Sequence, residues 1–332
     1  MSTPTWDTTV ALPETSIMTI RDFAPFVEGL DHPEGVACGP DGSIYAGGEA
    51  GQIYRVTLDG TFEEIGNTGG FNLGLCLDAD SNVYACDSAL KAVMKITSGG
   101  NIATYSSGAP DRPMQTPNYP VFDAAGNLYV SDSGAWNQHN GCIFRVQPGG
   151  ETEIFTSEVN SFPNGMAMHP SGSHLYSVVS QAFSVVRIAI EQDGSAGPIE
   201  TVVECPHNVL DGLAFDEEEN LFISCYTPDV IYRVSPSGAL EMLAADWERV
   251  TFASPTNMAF CGPDRKTLVI GSLARWHLTK GAMAVAGARL AYPAVASAAA
   301  KGHRSLSYQP AALAVVRKPV ARRFEWVPIS GQ

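Results

Sequence analysis

Positive charge is scarce in this chain, with 20 Lys and Arg against 35 Asp and Glu and a formal net charge of −15 over 332 residues. Nucleic acid and anionic membrane surfaces both demand a basic face, so neither is an expected partner. Long apolar runs are also lacking, and no stretch approaches the roughly 18 residues that a transmembrane helix needs. Met1 to Thr19 has neither a basic start nor a continuous apolar core, which excludes a secretory signal. The seven cysteines include no CxxC pair and no Cys/His cluster with zinc spacing. Cys38, Cys76, Cys86, Cys225 and Cys261 fall inside apolar runs, where a reduced thiol acts as a small core group, while Cys142 and Cys205 lie nearer loops. A cytoplasmic, reducing location is the expectation. With 45% hydrophobic and 17% charged residues the chain is nonetheless globular rather than disordered.

What the chain does have is a repeat. Pro163-Asn164-Gly165-Met166-Ala167-Met168 runs through a turn at Gly172 into the strand-like Leu175-Tyr176-Ser177-Val178-Val179. The same pattern of a leading residue, often a Gly, an apolar run, a turn and a second apolar run begins at Glu34, Leu73, Asn118, Asn164, Asp211 and Asn257. The turn falls eight residues after each leader, at Gly42, Ser81, Gly126, Gly172, Glu219 and Arg265. Steps of 39, 45, 46, 47 and 46 residues, built from short strands and turns, predict an all-β, six-bladed β-propeller. One closed unit overrides the two-domain prior that the length alone would suggest.

Residues 1–19 are polar and read as an arm over the surface. Ile20 to Leu30 resembles the fourth strand of later repeats but has no blade of its own, so it is expected to complete the last blade and close the ring. The propeller is then 20–293. A basic Lys or Arg recurs in the third strands, at 55, 95, 145, 187 and 233, and its regular period predicts a structural role between blades. Residues 294–332 are rich in Ala, Ser and Pro and carry six basic residues against Glu325, with no repeat. They read as a disordered tail.

In a propeller each first strand starts beside the central channel. The six leaders should therefore ring one mouth, and all but Leu73 carry a polar oxygen. Two buried carboxylates facing each other, Glu34 and Asp211, require a cation or a shared proton. An all-oxygen set of two carboxylates with the amide oxygens of Asn118 and Asn164 suits one divalent cation, Ca²⁺ first, then Mg²⁺ or Mn²⁺, with Zn²⁺ acceptable.

His32-Pro33-Glu34-Gly35-Val36, Asn118 ahead of Val121-Phe122-Asp123-Ala124-Ala125-Gly126, Pro163-Asn164-Gly165 and Leu210-Asp211-Gly212-Leu213 resemble motifs of the gluconolactonase, regucalcin (senescence marker protein) and luciferin-regenerating-enzyme superfamily. The resemblance spans about residues 20–293. It implies a cation held by Glu34, Asn164 and Asp211, with Asn118 at the cation or the substrate, a set similar to the calcium ligands of the related diisopropyl fluorophosphatase. The implied activity is hydrolysis of a lactone, less often of a phosphoester. Asp211 would be the base that takes a proton from water or, alternatively, the nucleophile.

Specificity should lie on the loops at the same mouth, with Asn118, Tyr119, Arg112, Trp136, His139, Phe183, His207, Tyr226 and Trp276 as candidate substrate-binding residues and a small lactone or ester as partner. Asn257 completes the ring as expected support. In sugar-lactone members the Asn matching Asn118 sits in Arg-x-Asn-Asp. Here the stretch reads Thr116-Pro117-Asn118-Tyr119, which favours a less polar substrate. The rival readings are a non-catalytic propeller used as a binding platform and a strictosidine-synthase-like or phosphotriesterase-like enzyme.

Overall fold

In this computed structural model residues 11–295 and 306–307 are described. The repeat folds as expected. Six antiparallel sheets surround one axis, five of four strands and that of blade 2 of five, and their innermost strands are Val36–Cys38, Asn72–Leu77, Pro117–Phe122, Pro163–Met168, Val209–Phe215 and Pro255–Cys261, here blades 1 to 6. Phe23–Glu28 pairs with His277–Ala282 as the outer strand of blade 6, Phe23 opposite Gly281 and Glu28 opposite His277. The first segment of the propeller thus completes its last blade and leaves no open seam.

The eight-residue offset between leader and turn has a backbone cause. All six turn positions are left-handed, with φ of 81° at Gly42, 58° at Ser81, 90° at Gly126, 74° at Gly172, 61° at Glu219 and 53° at Arg265. Each reverses the chain between the first and second strands. Glycine takes this conformation most easily, but the turn holds even Glu and Arg in it.

The core lies between blades rather than within one. Six apolar clusters each join two neighbouring blades, as where Val36, Cys38 and Ile44 of blade 1 meet Ala259, Cys261 and Val269 of blade 6. Cys142 and Cys205, expected nearer loops, are fully buried, and all seven cysteines are free. The third-strand cations also need correcting. Arg145, Arg187 and Arg233 pair with Glu153, Glu200 and Glu241 on the fourth strand of their own blade, while Arg55 and Lys95 reach Asp41 and Asp78 in the same blade. Strand register puts Arg145, Arg187 and Arg233 directly opposite their glutamates, so the period reports cross-strand pairing. Arg145 alone of these also crosses to a neighbouring blade, at the Gly194 carbonyl.

Both ends of the described chain pack on the propeller. Ile17 and Met18 donate to the Met242 and Leu243 carbonyls on the outer strand of blade 5. Past blade 6, the segment 286–295 crosses the mouth remote from the leaders. Ala288 donates to the Phe215 carbonyl, Tyr292 to Cys38 and Ala79 to Pro293, while Val295 is buried against blades 2 and 3. The segment floors an axial cavity of about 340 Å³, which is lined by the lower halves of the inner strands. Leu306–Ser307 pairs with Asn101 and Ile102 on the outer edge of blade 2. The rest of the expected tail and of the N-terminal arm lies outside the described residues. Among the described residues no helix is long and apolar enough to cross a membrane.

Candidate metal centre

Each leader lies at the start of an inner strand, and in all blades but the first a local backbone irregularity aims it. Strand pairing shifts register at the leader in five blades, between Asn72 and Leu75, Pro117 and Tyr119, Pro163 and Met166, Leu210 and Leu213, and Pro255 and Met258. Such bulges turn a side chain out of the regular alternation. The glycine after the leader has a separate reason. A Cβ at Gly35 would lie 1.9 Å from the Leu73 carbonyl oxygen, and one at Gly165 would lie 2.3 Å from that of Asp211. Only glycine lets neighbouring inner strands approach this closely at the axis.

A chain of hydroxyls locks the strands together. Ser131 donates to the Asn164 carbonyl at 2.7 Å, Ser180 to the Leu210 carbonyl at 2.7 Å, Ser224 to that of Thr256, and Thr256 to that of Glu34 at 2.9 Å. Each bond ties one blade to the next beside a leader. Two serines also orient the amides. Asn118 donates its NH₂ to Ser133 Oγ and Asn164 donates to Ser180 Oγ, both at 3.1 Å, so the carbonyl ends of both amides are left as acceptors.

Those acceptors have no partner. Asn118 Oδ1, Asn164 Oδ1, Asp211 Oδ1 and Asn257 Oδ1 are buried without a hydrogen bond. A buried unpaired oxygen costs roughly 1–3 kcal/mol, and four in one ring demand a reason. The carboxyls are strained in the same sense. Burial first, then the charge of Asp211 and that of Glu49, pushes Glu34 well above the ordinary carboxylate range. Burial likewise pushes Asp211 up to about 7, offset in part by the Asn164 amide. Negative charge and unpaired hard oxygens gathered in one buried place are the donor set that a divalent cation fits. Leu73 leaves blade 2 without a donor, and Asn257 is tethered by its NH₂ to the Glu34 carbonyl.

The rim residues come to the same mouth in different ways. Trp136 packs edge-on against Phe162 with ring centres 4.8 Å apart, and Trp276 lies against His32 at 5.3 Å. Tyr226 is exposed on blade 5. Phe183 and His207 sit at left-handed loop positions, half-buried and exposed respectively. His139 is exposed and shares a hydrogen bond with Ser161 at 2.8 Å. Arg112 belongs to a small hairpin, Gly108–Ala109 with Arg112–Pro113, and donates to the Asn140 carbonyl. Tyr119 is placed apart from the rim. It is buried against Gly74 and the blade 3–4 core, where it walls the axial cavity.

Sequence reading missed Ser133 and Ser180, whose recurrence at the ends of second strands was the available signal. It also missed a cluster beside Glu34. His32 Nδ1 lies 3.1 Å from Asp31 Oδ1 and 2.9 Å from Glu49 Oε2, and the three ligand-type atoms fall within 4.8 Å of one another.

The family model described as SMP-30/Gluconolactonase/LRE-like region matches residues 49–274. A second, Strictosidine synthase-like, N-terminal, matches residues 27–56, the segment that holds Glu34. Curated protein sequences give no match. Among solved structures, a gluconolactonase from Xanthomonas campestris is 17% identical with a TM-score of 0.68, covering 78% of this chain and 89% of that one. Regucalcin from Agrobacterium tumefaciens, a calcium-binding protein, is 16% identical with a TM-score of 0.67, covering 82% and 97%. A luciferin-regenerating enzyme is 15% identical with a TM-score of 0.66, covering 81% and 98%. At these identities the structures share the fold.

Proposed function

Because the chain belongs to the SMP-30/gluconolactonase/LRE-like family, we propose that it is a divalent-metal-dependent hydrolase that opens a lactone at the ring of leaders. The observation that carries this is the set of unpartnered buried oxygens on Asn118, Asn164 and Asp211 beside a second buried carboxyl, Glu34. Glu34, Asn164 and Asp211, with Asn118, would hold the cation, and Ca²⁺ is the first choice for neutral and anionic oxygens of this kind, ahead of Mg²⁺, Mn²⁺ and Zn²⁺. A cation bound there supplies Lewis acidity toward the ester carbonyl. Asp211 would accept a proton from the attacking water. As water's oxygen bonds to the acyl carbon, the ring C–O bond breaks and the departing alkoxide takes the proton back. Ser133 and Ser180 keep the two amide oxygens turned toward the axis throughout. The rim residues hold the small-molecule substrate above the ring. Reduced, buried cysteines fit a cytoplasmic setting.

Titration calorimetry with Ca²⁺ on the wild type, Glu34→Gln and Asp211→Asn tests the assignment. Each variant should bind at least tenfold more weakly. Unchanged affinity in both would remove the cation from the ring and the mechanism with it.

A further inference from the structure

Exposed apolar side chains are unevenly spread over this propeller. Among the described residues the exposed large hydrophobics number nine; Leu90, Trp136, Trp247, Val250 and Trp276 belong to loops on the face that carries the ring, and Tyr226 lies near the end of the strand Leu221–Thr227 that reaches the same face. The opposite face shows only Leu290, while Ile17 and Ile154 lie on the outer wall. Trp247 is 84% exposed and Trp276 is 58% exposed, although each has an apolar surface that water solvates poorly. Trp276 nevertheless packs at a tilt against His32, and Trp136 packs edge-on against Phe162, so both stand as walls rather than loose tails.

Several polar groups of the same rim bond to one another. Gln181 donates to Asn137 at 2.8 Å, His139 shares its bond with Ser161, Asn140 donates to Gln115 at 3.1 Å, and Arg249 donates to Asp229 at 2.9 Å. Arg112, the charge best placed to meet a polar ligand, is held by the Asn140 carbonyl. Among the described residues, Arg112 Nε and Gln181 Oε1 are the rim atoms that are buried without a partner. A polyhydroxylated ligand would bring several hydroxyls that must compete with these internal bonds, and a site discriminates against hydroxyls it leaves unpaired.

Resting on the hydrolase reading above, we infer that the substrate is an ester or lactone with an aryl or alkyl body, gripped by the aromatic rim, rather than a sugar lactone. The test uses the full-length, calcium-loaded protein. kcat/KM for dihydrocoumarin and γ-undecalactone should exceed that for glucono-1,5-lactone at least tenfold. Trp276→Ala should lower the dihydrocoumarin value about fivefold through KM. Equal turnover of all three, or preference for the gluconolactone, would overturn the inference and leave the hydrolase reading standing. If no lactone is turned over, the hydrolase reading fails instead. Calorimetric binding of the inert lactams 3,4-dihydro-2-quinolinone and gluconolactam then decides the matter. The aryl lactam should bind at least tenfold more tightly, and the reverse order or equal affinity would refute the apolar rim.

Discussion

Replacing Asp211 by Asn should make the cation-free protein more stable while removing its affinity for the cation. Burial lifts the Asp211 carboxyl from an ordinary 3.8 to about 7. Below the unfolded value both states hold the proton and the substitution changes little. As pH rises from 3.8 towards 7 the unfolded chain releases that proton and the folded one retains it, so the native state loses stability until the folded value is passed. Each unit is worth about 1.4 kcal/mol, which sets an upper bound of about 4 kcal/mol, and sharing of the burden with Glu34 reduces it to roughly 2–4. Asn carries no such penalty. Urea and thermal melts of chelated wild type and Asp211→Asn, at pH 4 and pH 8, should therefore coincide at the lower pH. At pH 8 they should diverge by about 5 °C or more in favour of the variant. Added Ca²⁺ should then raise the wild-type melting temperature and leave that of the variant unmoved. A variant less stable than wild type at pH 8 in the chelated state would refute the claim that this carboxyl is held against its solvation preference for function.

Ser180→Ala leaves the Asn164 amide without its anchor and the Leu210 carbonyl unpaired, so it should weaken Ca²⁺ binding about tenfold and cost about 1–3 kcal/mol of stability, measured by calorimetry and urea melts. Gly165→Ala forces a methyl against the Asp211 carbonyl and should cost about 1–3 kcal/mol in urea unfolding as well as weakening cation binding. Deleting 297–332 removes only the short Leu306–Ser307 pairing from the described structure, so melting temperature and lactone turnover should stay close to wild type. A truncation that also removed 286–295 should be clearly destabilised, because it strips Tyr292 and Val295 from three blades.

The blade count and the closure were legible because both are written in local chemistry. The leader and the left-handed turn recur at a fixed offset, and Phe23–Glu28 matches later outer strands in pattern. The polar ring was legible for the same reason. Other features depend on contacts between blades and leave no period. Ser133 is separated by 30 residues from the Pro163 carbonyl it binds in the next blade, and the pairing of His32 with Glu49 joins two loops that sequence spacing does not connect. Tyr119 follows a leader directly and so reads as a rim residue, yet the bulge between Pro117 and Tyr119 sends it into the interblade core. The crossing of the lower mouth by 286–295 was invisible too, since an Ala-rich run after the last strand looks the same whether it packs or not.

The measurement that bears most directly on the central claim is lactone hydrolysis by exhaustively chelated protein, followed by pH-stat across a panel of lactones before and after one equivalent of Ca²⁺. The account predicts negligible turnover of every lactone in the chelated protein, full recovery on adding the cation, and no recovery in Glu34→Gln. Undiminished hydrolysis in the chelated wild type would contradict it.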